Sequence, residues 1–226
     1  MTSPGKRIIL AASFVRPGSR LCDVGTDHGF LPVYLREKGV CRSICATDIN
    51  EKPLENARET FRNFGITDIP LYLCDGLFFE NAAAVDTVTV LGMGGDVIAG
   101  IIENAPFLKR QGVHLILQPM TAAGRLREYL AENGFFVKQE TAVCENGKVY
   151  SVMSVFYDGK RRALSPAEYR IGKLVPDGGD NTVYIKRQQR LCRELCESIK
   201  NIEEKRPLFL KEKAALEIID EAIGEK

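Results

Sequence analysis

Two histidines are too few, and seven cysteines too scattered, for a zinc site of the usual kind. No CxxC pair occurs: Cys41 and Cys45, like Cys192 and Cys196, lie four positions apart. The odd, dispersed set also argues against a disulfide framework, and reduced thiols are expected, several of them on core strands. Charge of one sign is missing too. With 31 Lys+Arg against 30 Asp+Glu the net charge is +1, so no global field drives the chain onto nucleic acid or a membrane, and any basic surface must be local. No stretch approaches the roughly 20 apolar residues of a membrane span. The start, "MTSPGKRIILAASFVRPGSR", lacks the unbroken apolar core of a signal peptide, which implies a cytoplasmic protein. There is no internal repeat and no low-complexity tract. What remains is 226 residues, 45% hydrophobic, enough for one large domain or one domain with an appendage.

The chain alternates short apolar strands with helices. Ser3-Pro4 suits the start of a helix through Ala12. Strands are expected at "RLCDV" (20–24), "SICATDI" (43–49), "PLYLCD" (70–75), "DTVTVLGM" (86–93) and "VHLILQP" (113–119). Helices are expected over 30–38, 51–64 with Asn50 as cap and Gly65 as stop, 96–109, and 122–132. This is the pattern of a parallel sheet covered on both faces. Then the rhythm changes. Residues 135–145 and 149–158 flank an Asn-Gly turn and read as a β-hairpin. A parallel α/β sheet closed by an antiparallel hairpin resembles a class I, Rossmann-like S-adenosylmethionine methyltransferase. After the glycine-rich break at 175–182, Leu191, Leu195, Ile199 and Ile202, then Leu208, Ala215, Ile219 and Ile223 beyond Pro207, suggest a coiled-coil-like helical hairpin. The expected division is residues 1–159 as the cofactor-binding domain and 160–226 as the helical appendage.

In an open parallel sheet, ligands bind beyond the carboxyl ends of the strands. The first such end is "DVGTDHG". Gly25 can take a tight turn, and Gly29 allows a close helix start. A dinucleotide loop would read GxGxxG and hold a pyrophosphate, but Asp27 would set a negative charge beside that anion. S-adenosylmethionine has no phosphate and carries a sulfonium and an ammonium, so carboxylates are favourable neighbours. Asp23 can bond the ammonium directly or through water. Asp48, roughly 20 positions after the turn, fits a contact to ribose hydroxyls, or else caps the next helix. Asp75 before Gly76 can accept the adenine amine, or forms a simple turn. Gly92, Met93, Gly94 and Gly95 lie in "LGMGGD", where three glycines within four positions suit backbone meeting a cofactor or substrate. The polar NPPY-type tetrad found in enzymes that methylate exocyclic base amines is missing there. Gln118 is a candidate contact to a base edge, or a partner for loop backbone, and Pro119 fixes its turn.

Taken together at their strand ends, "DVGTDHGFLP", "LGMGGDVI" and "LILQPM", with the "ENGKVYSVM" hairpin and the helical pair, resemble the bacterial TrmK family over nearly the whole chain. At the end of the second strand this chain has Asp48 where the family often has Glu. The resemblance implies methyl transfer from S-adenosylmethionine to N1 of adenine 22 in tRNA, without a metal. The family's proposed catalytic aspartate matches Asp27, and His28 is the second candidate, either orienting substrate and taking up a proton or capping the following helix. Residues 160–226 hold 15 Lys+Arg against 12 Asp+Glu, and Lys186, Arg187, Arg190 and Arg193 cluster at helical spacing as candidate phosphate contacts. Competing readings are a methyltransferase for another RNA or a small molecule, a non-catalytic RNA-binding protein of the same fold, and a nucleotide-dependent oxidoreductase. Sequence does not give the oligomeric state, a monomer being favoured.

Overall fold

A computed structural model describes residues 4–224. Its centre is a seven-stranded sheet in the order β3-β2-β1-β4-β5-β7-β6. The strands are β1 (Arg20–Val24), β2 (Ser43–Asp48), β3 (Leu71–Leu73), β4 (Thr87–Gly94), β5 (His114–Thr121), β6 (Phe135–Glu145) and β7 (Lys148–Tyr157). The first five run parallel. β7 lies antiparallel against β5 and carries β6 outside it. The hairpin turn is the expected one: Asn146 (φ 50) and Gly147 (φ 72) both take the left-handed conformation a two-residue turn demands.

Helices α1 (Lys6–Phe14), α2 (Phe30–Glu37), α3 (Glu51–Asn63), α4 (Gly95–Glu103) and α5 (Ala123–Glu132) cover the sheet. One face packs Val88, Val90, Ile98, Ile102, Leu126 and Leu130; the other packs Ala11, Leu21, Leu31, Leu35, Phe61 and Ile116. These positions are apolar because a parallel strand between two helical layers has no wet face.

Several expectations shift. The start at Ser3 lies outside the described residues, and the first helix begins at Lys6 and passes Ala12 to end at Phe14. The third strand shrinks to three residues. The helix expected to reach Lys109 stops at Glu103, because Pro106 cannot continue it and instead opens a 3-10 turn that carries Leu108 into the core. Asn50 holds the N-cap position of α3 but makes no side-chain cap bond; Asp48 Oδ1 accepts the Asn50 N–H instead (3.0 Å).

Beyond the sheet, α6 (Pro166–Ile171) was not anticipated. Ser165 and Glu168 form a reciprocal capping box around Pro166 at its start. The long pair is α7 (Asp180–Ile199) and α8 (Arg206–Ala222), with α7 beginning inside the stretch read as a break. Its buried face is Tyr184, Ile185, Gln189, Cys192, Cys196 and Ile199, so Leu191, Leu195 and the exposed Ile202 flank the seam rather than fill it. Leu208 is exposed as well, while Ala215 and Ile219 are buried. The seam is polar in part: the Cys192 thiol donates to Glu212 Oε2 (2.8 Å) and Gln189 to Asp220 (2.6 Å). All seven cysteines are free.

The helical segment is fastened to the sheet. Ala142, Val149, Ile171, Leu174, Tyr184, Ile185 and Ile219 form one apolar cluster across the hairpin and the appended helices. Beside it, Arg127 of α5 is fully enclosed: Nη2 donates to Glu140 Oε1 (2.6 Å) and to the Tyr184 hydroxyl (3.1 Å), and Nη1 to the carbonyls of Tyr169 and Arg170. No helix among the described residues is long and apolar enough to cross a membrane.

Candidate active site

The turn after β1 builds the site. The Gly25 and Thr26 amides both donate to the Thr47 carbonyl (2.9 and 3.1 Å), which pins the turn to the end of β2. Gly25 adopts φ 71, and a Cβ there would run into the Met93 methyl group. The left-handed backbone is what calls for glycine here; the Met93 methyl is the end of a flexible side chain and can shift.

Asp23 lies beneath this turn with 5% of its surface exposed. Thr89 donates to Oδ1 (2.6 Å) and Thr26 to Oδ2 (2.8 Å). Burial still outweighs these two hydroxyls, and with the nearby Asp48 charge it lifts the Asp23 carboxyl to about 6. A buried acid held only by neutral donors has no charge partner of its own, which makes Asp23 a candidate seat for a cation. Asp27 differs in every respect. It is a non-glycine residue at φ 50, its side chain is 67% exposed, and His28 Nε2 lies 3.8 Å from its Oδ1. His28 is half exposed and stacks on Phe30.

A cavity of about 460 Å³ opens above these residues, within the usual range for a small-molecule site. Asp23, Gly25, Thr26, Asp27, His28, Asp48, Gly92 and Met93 line it, together with Arg7, Asn50 and Leu91. It thus collects seven of the residues proposed from sequence and adds Arg7 and Thr26. Arg7 comes from α1. Its Nε donates to Glu145 (2.6 Å), its Nη1 to Gln118 (2.9 Å), and its guanidinium lies over the Tyr150 ring. Thr26 and Thr89 were missed as the donors that hold Asp23; Thr89 is a strand threonine whose inward direction only the sheet register reveals.

Other expected residues fall elsewhere. Gln118 is fully buried: Oε1 accepts from Arg7 and from the Gly92 N–H (3.1 Å), and Nε2 donates to the Pro119 carbonyl (3.0 Å). It orders the loop after β4, and with no exposed surface and no place in the cavity lining it does not present a base-edge contact, so that expectation is corrected. Gly95 is buried at the start of α4, where a Cβ would sit 2.5 Å from the Ala122 carbonyl, so its missing side chain serves helix packing. Gly94 packs on Thr121. Asp75 and Gly76 line a smaller hollow of about 200 Å³ with Phe78, Val97 and Ile101, joined to the β2 end through a Thr47 hydroxyl bond to the Gly76 carbonyl (2.9 Å). Pro119 borders a groove between β5 and α7, with Met120, Tyr150 and Arg187. Lys186, Arg187 and Arg190 share a further depression, whereas Arg193 pairs with Asp220 (3.3 Å) and is not among its lining residues.

The cavity suits S-adenosylmethionine better than a dinucleotide. The dry Asp23 matches an ammonium, Asp48 at the second strand end matches ribose hydroxyls, and the acidic turn offers no cradle to a pyrophosphate. No group of His, Cys, Asp and Glu suited to a metal ion occurs among the described residues. A parallel sheet with an antiparallel β7 and this turn define a methyltransferase domain, and the family described as "Methyltransferase domain" matches residues 5–153.

Within that class the likeness is narrower. The tRNA (adenine(22)-N(1))-methyltransferase of Bacillus subtilis is 29% identical over 171 residues, covering 75% of this chain and 72% of that one. Streptococcus pneumoniae Sp1610, a proposed tRNA (m1A22) methyltransferase solved with S-adenosyl-L-methionine, superposes with a TM-score of 0.79 at 32% identity, covering 97% of this chain and 99% of that one. The B. subtilis m1A22 tRNA methyltransferase TrmK gives a TM-score of 0.83 at 25% identity, covering 99% and 100%. The chain belongs to the TrmK family of methyltransferases.

Proposed function

We propose that this protein methylates N1 of adenine 22 in tRNA, with S-adenosylmethionine as methyl donor, in the cytoplasm. The observation that carries this reading is the pair of acids on one turn: Asp23 dry at the floor of the cavity and Asp27 wet at its mouth. Asp23 holds the ammonium of the donor and gains its charge partner there. Asp48 accepts from the ribose hydroxyls, Asp75 and Gly76 border the adenine end, and Gly25, Gly92 and Met93 let backbone approach the ligand. When bound, S-adenosylmethionine supplies an electrophilic methyl group.

The remaining work falls to the chain's own residues. Adenine N1 already carries an in-plane lone pair, so no base need deprotonate it before attack. Placing that nitrogen in line with the methyl group supplies most of the acceleration. The methylated ring is a cation whose charge is shared with its exocyclic amine. Asp27 accepts an N–H bond from that amine and stabilises the developing charge. His28, 3.8 Å from Asp27, orients the ring. Residues 1–159 bind the donor, and the appended helices contact the tRNA backbone through Lys186, Arg187 and Arg190.

The test is methyl transfer to unmodified tRNA, followed by mapping of the modified nucleotide. Incorporation at N1 of adenine 22 is expected. Incorporation at any other position, or into a small molecule alone, refutes the assignment.

A further inference from the structure

The depression beside α7 is built by two elements. About 530 Å³ in volume, it lies between the hairpin turn and the second and third turns of the helix. Lys148 enters from the hairpin, and Lys186, Arg187 and Arg190 from the helix. Lys6 lies within electrostatic reach of Cys144 and Asp180 at the same border. Carboxylates also stand at this border: Glu145 lies opposite Lys148 across the hairpin and binds Arg7. Asp180 already accepts the Cys144 N–H (2.8 Å), and Glu194 stands 3.7 Å from Arg190 on the open side. A Cβ on Gly147 would meet nothing within 4 Å, so the turn backbone is open to close approach.

Arg187 decides the direction of this surface. Its Nη1 donates to the Val149 carbonyl (3.2 Å), which fixes the side chain against the hairpin. It lines both this cleft and the groove that holds Pro119 and Met120. Met120 in turn touches Arg7, whose guanidinium borders the cofactor cavity. Shared and touching residues therefore link the cofactor cavity, through the groove, to the basic cleft.

We propose that Lys148 on the hairpin turn and Lys186, Arg187 and Arg190 on α7 form a clamp for successive phosphates of the RNA strand that delivers the target nucleotide. The clamp rests on the tRNA reading above. It adds an element outside the helical appendage and leaves Arg193 out. Opposed cations from two rigid elements suit a polyanionic backbone, whereas one helix face alone would fix neither its direction nor its register.

Fluorescence anisotropy with unmodified tRNA across a KCl series tests the clamp. Lys148→Ala, Lys186→Ala and Arg190→Ala should each lower the slope of log affinity against log salt by about 0.7 to 0.9, and the triple variant by about 2 to 3. The KM for tRNA should rise in step. Lys213→Ala, on α8 and paired with Glu217, should keep the wild-type slope. Lys148→Glu, at the tip of an exposed turn, gives a second reading should the triple variant fold poorly, and should weaken binding more than Lys148→Ala. If wild type binds and methylates tRNA while Lys148→Glu and the triple variant retain its slope and affinity, the clamp is wrong and the tRNA reading stands. If wild type binds S-adenosylmethionine but neither binds nor methylates tRNA, the reading fails and the clamp with it.

Discussion

Asp23→Asn separates the binding role of the buried acid from its cost to the fold. Asn preserves the shape, and the Thr26 and Thr89 hydroxyls can donate to its oxygen or accept from its amide. In the cofactor-free protein the Asp23 carboxyl titrates near 6 instead of 3.8 because it is buried. The folded state then binds a proton more tightly than the unfolded one. The stability this group contributes is fully present below 3.8 and lost as pH rises through about 6. A shift of about two pH units amounts to ~3 kcal/mol.

His114 has the opposite sign. It is 2% exposed, its Nε2 meets the Ser154 hydroxyl, and its ring stacks on Phe156. Burial, with Arg16 and Lys138 nearby, holds it down to about 4, so its contribution is present above 6.5 and lost as pH falls through about 4. Between pH ~7.5 and ~5 the acid adds roughly 1 kcal/mol and the imidazole removes roughly 2, so the two largely cancel. Asn at position 23 unmasks the imidazole. Urea unfolding without cofactor should show the variant more stable than wild type at pH ~7.5, by up to ~3 kcal/mol, and losing about 1 kcal/mol more than wild type on moving to pH ~5. Its affinity for S-adenosylmethionine should fall, and with it the stabilisation the ligand confers. A variant with the wild-type pH slope and undiminished cofactor affinity would refute both the burial argument and the ammonium seat.

Asp27→Asn keeps a residue that tolerates the left-handed backbone, so it tests chemistry with little added strain. Turnover should fall by roughly 10² or more with cofactor affinity nearly unchanged, and equal turnover in tRNA methylation assays removes Asp27 from the mechanism. Gly25→Ala should cost about 1–2 kcal/mol of backbone strain and push Met93 out of place, lowering cofactor affinity in calorimetric titration. Unaltered affinity there would mean that the turn yields freely. Arg127→Met strands Glu140 as a buried charge and should destabilise the protein by about 3–5 kcal/mol in urea unfolding. Adding Glu140→Leu should recover most of that, and a double variant no better than the single one contradicts the account.

The parallel sheet was legible because four of its five strands are short apolar runs stopped by glycine or aspartate, and the hairpin because Asn-Gly leaves few other turns. The acidic turn was legible for the same local reason: Asp23, Gly25 and Asp27 lie within five residues. Arg7 was not, since it reaches the cavity from α1 and its partners Gln118 and Glu145 lie more than a hundred residues away. Gln118 misled because a polar residue at a strand end looks available until the donors around it are known. The helical seam misled for a different reason. Leucines at regular spacing suggested an apolar stripe, but α7 turns Cys192, Cys196 and Gln189 inward, toward Glu212 and Asp220 on α8.

The left-handed kink at Asp27 has a consequence for how one short loop manages water. Because the backbone reverses its hand at that residue, Thr26 folds inward over Asp23 while Asp27 is thrown outward. Four residues along the chain thus separate a buried acid from one in bulk solvent. The inner acid can wait for a cation without solvent ions competing for it. The outer one stays in contact with bulk water at the cavity's mouth.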